Sequence, residues 1–280
     1  MILMAAIGEL VLDVTIAPEG PWRVDDDQEA QIKIAGGGQA ANFCAWAASL
    51  GEPARLLTRI GDDAVGHRLV AELELGGVEV RAVIGEEPTG VIAVLVGPEG
   101  ERTFARQRGA STLLRPEQVR EEWVEGVRLL HIPGYALFLE PLGAAARRAA
   151  ELVRARGGLI SVDLSSSGDL DRHGAARMAG DLLALAPELL FATEREVAAL
   201  APEARTAAKI LIVKLGRRGC TVMGRRIPAP VVEAVDPTGA GDAFAAAFCA
   251  AYLEGSPPLE AGGRAVLVAA RAVTRLGARP

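Results

Sequence analysis

The sequence predicts an α/β protein with a mostly parallel central sheet covered by helices on both faces. Half of the 280 residues are hydrophobic, which is enough apolar material for a sizeable core. Uninterrupted apolar runs, typical of buried parallel strands, alternate with longer Ala, Leu and Arg runs at helical spacing. Two stretches, 10–35 and 78–108, break this alternation and indicate a second, smaller structure.

The apolar runs predict the strands of the sheet, and the longer runs between them predict its helices. Because the two kinds of run alternate, we expect a single α/β domain over residues 1–280. Strands are expected at 2–8, 55–60, 129–132, 159–163, 189–192 and 210–214. Helices are expected at 40–50, 64–75, 116–125, 141–156, 194–200, 239–253 and 259–276.

The two stretches that break the alternation predict a small β lid. Residues 31–35 alternate between polar and apolar types. Strand-like runs follow one another at 78–84, 90–96 and 102–108, and a Gly-Pro-Glu-Gly turn precedes the last of them. We therefore expect a discontinuous lid, built from about 10–35 and 78–108, over a cleft in the α/β core.

Composition and charge exclude several function classes. Acidic residues exceed basic ones by 36 to 30, so a generally basic nucleic-acid-binding protein is not expected. The sequence contains no run of 18 uncharged apolar residues, so no membrane-spanning helix is expected. The three cysteines lack CxxC spacing and only three histidines are present, which predicts a reduced, cytoplasmic protein without a zinc site. The absence of any Gly-Lys pair excludes a P-loop.

The first candidate site is the glycine run at residues 36–38, which precedes a predicted helix and Asn42, the only asparagine in the chain. Its Gly-x-Gly-x-x-Ala spacing matches a dinucleotide-binding turn, with Asp62 placed to bind a ribose. Two other interpretations stay open. The glycines either form a tight turn that caps the helix, or they let a ligand approach the backbone while Asn42 binds its hydroxyl groups.

The second candidate site is the segment 235–244, Val-Asp-Pro-Thr-Gly-Ala-Gly-Asp-Ala-Phe. Gly239, Ala240 and Gly241 offer consecutive backbone N–H groups at a helix N-terminus, which favours an anion. Asp242 follows in the first helical turn, where a carboxylate commonly caps the helix. Beside an anion site the same carboxylate can accept a proton from a hydroxyl group, so the segment suits phosphoryl transfer.

Three motifs together resemble the PfkB family of ribokinase-like sugar kinases. They are Gly-Gly-x-x-Ala-Asn at 37–42, Ile-Gly-Asp-Asp-x-x-Gly at 60–66 and, most specifically, Asp-x-Thr-Gly-Ala-Gly-Asp-x-Phe at 236–244. The resemblance extends over nearly the whole chain. It implies a three-layer α/β sandwich with a β lid, and ATP- and Mg²⁺-dependent phosphorylation of an alcohol on a sugar or sugar-like molecule.

The resemblance also implies roles for individual residues. Asp242 would be the base, and Gly239, Ala240 and Gly241 would form the anion hole. The residues implied in binding form three groups: Asp13, Gly37, Gly38, Asn42 and Arg108 for the acceptor; Lys214, Gly216, Gly219 and Thr238 for the nucleotide; and Glu196 for Mg²⁺, with a monovalent cation near Asp236.

Three positions depart from the family pattern. Thr193, three residues before Glu196, stands where the family often has asparagine. Ser165 ends an Asp-Leu-Ser segment where many members have Asp-x-Asn. Lys214 replaces a usual threonine and is expected either to reach the nucleotide phosphates or to extend into solvent.

The predicted strand at 102–108 bears on the acceptor, because residues 102, 104, 106 and 108 share one face. Three of these residues, 102, 106 and 108, are arginines, and residue 104 is a phenylalanine. The face that they form is expected to point either at an anionic acceptor or into solvent. Solvent is the commoner environment in an arginine-rich protein, so we expect a neutral sugar first. A nucleoside, sugar acid or phosphorylated sugar comes second, and a dinucleotide-dependent oxidoreductase is a distant alternative. Relatives of similar sequence often pair their lids, which predicts a homodimer through the lid, without nucleic-acid or membrane partners.

Overall fold

The computed structural model describes residues 3–97, 101–165 and 167–280, which form two sheets with surrounding helices. The strands are β1 (Leu3–Ile7), β2 (Val11–Pro18), β3 (Ala30–Gly37), β4 (Ala54–Gly61), β5 (Val78–Gly85), β6 (Thr89–Val96), β7 (Arg102–Gly109), β8 (Val127–Pro133), β9 (Leu159–Asp163), β10 (Leu189–Thr193), β11 (Ile210–Lys214), β12 (Cys220–Val222) and β13 (Arg225–Ile227). The helices are α1 (Gln39–Ser49), α2 (Ala64–Leu75), α3 (Gly134–Phe138), α4 (Leu142–Ala155), α5 (Ser167–His173), α6 (Ala175–Leu185), α7 (Glu194–Ala199), α8 (Ala240–Leu253) and α9 (Pro258–Ala272).

The large sheet has nine strands in the order β13-β12-β11-β10-β9-β8-β1-β4-β5. Seven of them pair in parallel, and β12 and β13 form an antiparallel hairpin at one edge. Side chains of a strand alternate between its two faces, so Met4 and Ala6 belong to one core cluster while Ala5 and Ile7 belong to the other. Helices cover both clusters, which confirms the predicted three-layer α/β sandwich.

The small sheet has four strands in the order β3-β2-β6-β7. The hairpins β2–β3 and β6–β7 are antiparallel and are joined by parallel pairing of β2 with β6. The assignment of residues 78–84 to the lid is wrong. They form β5, which pairs in parallel with β4 along its whole length because α2 returns the chain to the edge of the large sheet. The second part of the small sheet therefore begins at Thr89, and residues 98–100 of the predicted turn lie outside the described residues.

The other predicted strands of the core are confirmed, although residue 2 of the first lies outside the described residues. The predicted helix at 116–125 is wrong. Two short 3-10 turns, Pro116–Gln118 and Glu121–Val124, stand there, and the extended backbone of Val119 and Arg120 separates them. The sequence interpretation also missed α3, α5, α6 and the β12–β13 hairpin. Among the residues that the structure describes, no helix combines the length and apolarity needed to cross a membrane.

Candidate active site

The small sheet faces the carboxyl ends of the parallel strands across a cleft of about 1040 Å³. One wall consists of cleft-facing side chains of β2, β3, β6 and β7. The other contains the ends of β10 and β11 and the start of α8. Open parallel sheets commonly bind ligands beyond the carboxyl ends of their strands, so this is the place where a functional site is expected.

Residues 239–241, which are expected to form an anion hole, lie at the start of α8 beside this cleft. Gly239 precedes the helix with φ +76°, and a side chain there would overlap the carbonyl oxygen of Ala278. Asp242, in the first turn, is buried, and its Oδ2 accepts a hydrogen bond from Asn42 Nδ2 at 3.0 Å. Burial raises the pKa of Asp242 to about 7, partly offset by the hydrogen bond from Asn42. A carboxylate with a pKa near neutrality suits a general base.

Asn42 reaches Asp242 because α1 packs closely against α8. Both helices are rich in buried alanine, and small side chains let helix axes approach. Asn42 itself is buried in the first turn of α1, while its amide lies in the cleft wall. Packing thus joins two motifs that lie 200 residues apart in the chain.

Asp13 lines the same cleft from β2. Burial raises its pKa to about 6, an effect that the nearby guanidinium of Arg279 reduces. Gly37 makes room for this carboxylate, because a Cβ at residue 37 would overlap it. Gly38 has φ +96°, and a Cβ there would overlap the backbone carbonyl of Glu9. The glycine run therefore lets side chains and backbone approach one another at the cleft.

The dinucleotide interpretation of the glycine run is not supported. Residues 36 and 37 end β3, an antiparallel strand of the small sheet, whereas a dinucleotide-binding turn follows a parallel strand of the central sheet. Asp62, the expected ribose ligand, is exposed and pairs with His67 at 2.9 Å. Asp62 is also absent from the residues that line the cleft.

Lys214 lies beside the anion hole. Its Nζ pairs with both carboxylate oxygens of buried Asp163, at 2.8 and 2.5 Å. Burial acts to lower the pKa of Lys214, but the charge of Asp163 outweighs it and holds the pKa above its ordinary value. Nζ lies 3.5 Å from the position that a Cβ on Gly241 would take. The side chain therefore does not extend into solvent, and a fixed positive charge lies next to the backbone donors.

Glu196 is held at the start of α7 by a capping box. The Thr193 backbone N–H donates to Glu196 Oε2 at 2.7 Å, and the Glu196 backbone N–H donates to Thr193 Oγ1 at 3.3 Å. Burial raises the pKa of Glu196, which lines the cleft near Lys214. Proteins commonly bind Mg²⁺ through one or two carboxylates together with substrate phosphates, and Glu196 fits the protein part of that set. Thr193 takes the structural role of a helix cap here.

Asp236 does not fit the expected monovalent cation. Its Oδ1 accepts from the backbone N–H and Oγ1 of Thr238, at 2.9 and 2.6 Å, and from the Arg102 guanidinium at 2.8 Å. Its Oδ2 accepts from the Gly277 backbone N–H at 3.0 Å. Burial favours the neutral acid, but these donors outweigh it and hold the pKa of Asp236 well below its usual range. Arg102 already supplies the positive charge that the cation would bring.

Gly216 and Gly219 lie in the turn between β11 and β12, and neither lines the cleft. Gly219 has φ +94°, and a Cβ there would overlap the carbonyl oxygen of Ile227, so the turn itself requires this glycine. Thr238 does line the cleft, with its hydroxyl hydrogen-bonded to Asp236. The nucleotide-binding roles of these three residues stay predictions.

The arginine strip of β7 borders the cleft, where Arg102 and Arg108 are half-buried and Phe104 and Arg106 are exposed to solvent. Arg108 pairs with buried Glu9, and its guanidinium carbon lies 4.7 Å from the ring centre of Tyr135. Sequence reasoning missed Glu9, Tyr135 and Asp163 as cleft or near-cleft residues. Asp163 ends a predicted strand, where its position could have indicated it. Arg279 also went unnoticed, because nothing in its local sequence suggests a half-buried guanidinium that contacts the glycine run.

Comparison with known proteins gives consistent matches. The model of the pfkB family of carbohydrate kinases matches residues 1–280. The chain is 29% identical to a probable fructokinase-3 of Arabidopsis thaliana over 92% of this chain and 80% of that protein. It is 32% identical to an ATP-dependent ribose-1-phosphate kinase of Halopiger xanaduensis over 90% of this chain and 86% of that protein. A candidate Ribokinase II of E. coli, solved in complex with ATP and Mg²⁺, has a TM-score of 0.87 and 27% identity, over 99% of this chain and 94% of that one.

Proposed function

The chain belongs to the pfkB family of carbohydrate kinases, and from this membership we propose that it transfers the γ-phosphoryl group of ATP to a hydroxyl group of a neutral sugar or polyol. One observation carries the proposal. The buried carboxylate of Asp242 lies next to the anion hole of residues 239–241 and hydrogen-bonds to Asn42. A base, an anion site and an amide able to bind hydroxyl groups are thereby brought together, as phosphoryl transfer requires.

Each group has a distinct part in the proposed reaction. Asp13 and Asn42 bind the acceptor hydroxyl groups, and Asp242 accepts the proton of the attacking hydroxyl. As the new P–O bond forms and the bond to ADP breaks, the N–H groups of residues 239–241 and the Lys214 ammonium stabilise the charge on the phosphoryl oxygens. Glu196 would hold Mg²⁺, which would neutralise phosphate charge.

The test is acceptor-dependent release of ADP. The protein is incubated with ATP and Mg²⁺ and a pooled set of sugars, polyols and nucleosides, and the positive pools are then divided. We expect ADP release that depends on a sugar or polyol. A change in absorbance at 340 nm with NAD in place of ATP, without ADP release, would instead support the oxidoreductase alternative.

A phosphorylated sugar or sugar acid is the second candidate acceptor. The observation that favours it is the set of basic side chains on the cleft walls, Lys33, Arg102, Arg106, Arg108, Arg172 and Lys214. The 32% identical relative named a ribose-1-phosphate kinase acts, by its name, on such an acceptor. A neutral acceptor is placed first because carboxylates offset cations of this set, as in the ion pairs of Arg102, Arg108 and Lys214.

The charge of the acceptor can be tested at Arg108. Because Glu9 offsets the charge of Arg108, we expect the acceptor KM of the wild type to change little between low and high salt. The acceptor KM is measured in the wild type and in Arg108→Ala at both salt concentrations, with exposed Arg128→Ala as the control. Two results together would contradict a neutral acceptor and support an anionic one. The acceptor KM of the wild type would rise strongly with salt, and Arg108→Ala would have a higher KM than the wild type while Arg128→Ala would not.

We also propose that two copies of the chain pair through the small sheet. Side chains of a strand alternate between its faces, so the face of this sheet opposite to Asp13 carries two apolar cross-strand rows, Ile34–Val14–Ala93 and Ile32–Ile16–Leu95, of which Ile32 also borders the cleft. Ile32 and Ile34 are 63% and 52% exposed. An uncharged apolar face of this kind suits a self-complementary two-fold interface.

Sedimentation measures this association directly. At micromolar concentration the wild type is expected to sediment as a dimer. Ile34→Asp should sediment as a monomer, because the carboxylate would be buried in the apolar interface. Leu267→Asp, at an exposed apolar position on α9, is the matched control and should remain dimeric. A monomeric wild type would contradict the proposal.

A further inference from the structure

Residues 276–280 contact helix α1, Asp236 and the start of α8. The Gly277 backbone N–H donates to Asp236 Oδ2 at 3.0 Å, and the Ala278 carbonyl accepts from Trp46 Nε1 at 2.9 Å. The same carbonyl packs against Gly239 at the start of the anion hole. Because its backbone is fixed on both sides, this segment delivers the side chain of the next residue, Arg279, to a defined place under the cleft.

The guanidinium of Arg279 contacts the glycine run and Asn42. Its Nε donates to Asn42 Oδ1 at 3.1 Å, and its NH2 group donates to the carbonyl of Gly37 at 2.8 Å. Its NH1 group occupies the space that a Cβ on residue 36 would take. Gly36 is therefore required for this placement, just as Gly37 is required for the carboxylate of Asp13.

The hydrogen-bonding capacity of Arg279 fixes the orientation of the Asn42 amide. A guanidinium has only donors, so the amide oxygen of Asn42 must face Arg279. The amide nitrogen must then face the other way, where it donates to Asp242 Oδ2 at 3.0 Å. If the amide turned over, it would present an N–H group to the guanidinium and an oxygen to the carboxylate, and both hydrogen bonds would be lost.

We propose that Arg279 is a positioning residue for phosphoryl transfer, and that it acts by holding the Asn42 amide in the orientation that donates to Asp242. This inference rests on the proposed function in one respect only, the role of Asp242 as base. If Arg279 only packed against its neighbours, its replacement would leave the hydrogen bond from Asn42 to Asp242 unchanged. A positioning role makes the state of the Asp242 carboxylate depend on Arg279.

Several charged groups face Asp242 and contribute to its titration. Asp163 and Asp13 raise its pKa, while Lys214 and the amide of Asn42 lower it. The guanidinium of Arg279 also interacts with the Asp242 charge. Loss of Arg279 removes a positive charge and releases the amide, and both effects favour the protonated acid. The titration of Asp242 must therefore move to higher pH.

Asn42 offers a direct probe, because it is the only asparagine in the chain. Protein labelled with ¹⁵N in the asparagine side chain gives a single NH₂ pair in the NMR spectrum. In the wild type we expect this pair to titrate with a midpoint near pH 7, the value to which burial raises the pKa of Asp242. In Arg279→Gln we expect the pH midpoint of the titration to rise. We also expect the chemical shifts of the Asn42 NH₂ pair to move toward those of a free amide.

Two further variants separate positioning from loss of structure. Gly36→Ala should displace the guanidinium while keeping its charge in the protein, and should move the amide signal in the same direction as Arg279→Gln. Arg279→Lys keeps the charge and should show a smaller rise of the midpoint. Exposed Arg275→Gln, four residues away, is the matched control and should leave the pair unchanged.

The kinetic measurement then links the amide to turnover. We expect kcat of Arg279→Gln to fall about tenfold with the KM for ATP unchanged, as for loss of one charge-assisted hydrogen bond. In an Asn42→Ala background the same replacement should lower kcat by clearly less than tenfold, because only the loss of the Arg279 charge remains to act on Asp242. An unchanged amide titration in folded Arg279→Gln and Gly36→Ala would overturn the inference. An absence of ADP release by the wild type would overturn the proposed function, and the NMR titration still tests the arrangement, since it needs no acceptor.

Discussion

Replacing Asp242 by asparagine is expected to lower kcat by about 10²–10⁴-fold, the contribution of a general base, while ATP still binds. Asparagine preserves the size of the side chain but cannot accept the proton of the acceptor hydroxyl. Because the amide oxygen of the new asparagine can still accept the hydrogen bond from Asn42, the fold should survive the change. The measurements are kcat from ADP release and ATP binding by calorimetry.

The matched control is Glu260→Gln, which alters an exposed carboxylate in the first turn of the neighbouring helix α9. It should keep wild-type kcat. If Asp242→Asn retains more than about a tenth of the wild-type kcat, the assignment of Asp242 as base is wrong.

The pH dependence of the wild type follows from the same carboxylate. Asp242 accepts a proton only when it is ionised, so kcat/KM should rise with pH through about 7, the value to which burial raises its pKa. Asp13, with a pKa raised to about 6, titrates in the same range and interacts with Asp242. The rise of kcat/KM with pH therefore reports the coupled titration of both carboxyl groups.

Replacing Lys214 by methionine should lower the free energy of unfolding by about 3–5 kcal/mol, the cost of leaving a buried partner charge uncompensated. Asp163 is fully buried and its carboxylate pairs with Lys214 at 2.8 and 2.5 Å. Chemical denaturation monitored by circular dichroism measures the change. Lys209→Met, which breaks the exposed pair with Glu188, is the control and should cost less than about 1 kcal/mol.

A second replacement tests the cause of this loss. Lys214→Met/Asp163→Asn removes both charges, while the new amide oxygen can still accept from the Ser165 backbone N–H that now bonds to Asp163. The double variant should therefore be more stable than Lys214→Met alone. A double variant that is no more stable than the single one would show that the lysine stabilises the fold by packing and not by pairing.

Much of the architecture could be predicted because strands and helices differ in local pattern. The core strands and most of the long helices follow from apolar runs and helical spacing. The helix expected at 116–125 fails because Val119 and Arg120 adopt extended conformations between two short turns, a detail that spacing alone does not reveal. The lid boundary fails for a different reason. The strand-like run at 78–84 does not by itself indicate which sheet it joins, because that depends on the path of α2.

The relative positions of residues within one motif were also predictable from the sequence, because they depend only on local structure. The three backbone donors and Asp242 are consecutive at one helix N-terminus, so their geometry follows from the sequence. The groups that surround each residue in the folded protein could not be predicted in this way. The sequence left Lys214 between phosphates and solvent, and the structure pairs it with Asp163, which lies 51 residues away in the chain. Likewise, the sequence did not indicate that Asp236 pairs with Arg102, which lies 134 residues away in the chain.

By itself, the sequence determined the α/β class, the small sheet and the helix start at residues 239–242, because each depends on residues close together in the chain. Only the tertiary structure decided what surrounds that segment. The hydrogen bond from Asn42 to Asp242 joins residues 200 apart, and that from Arg279 to Asn42 joins residues 237 apart. Such contacts arise when α1 packs on α8 and residues 276–280 pack behind the glycine run. The pKa of a carboxylate depends on burial and on charges within a few ångströms, and folding alone brings those charges together.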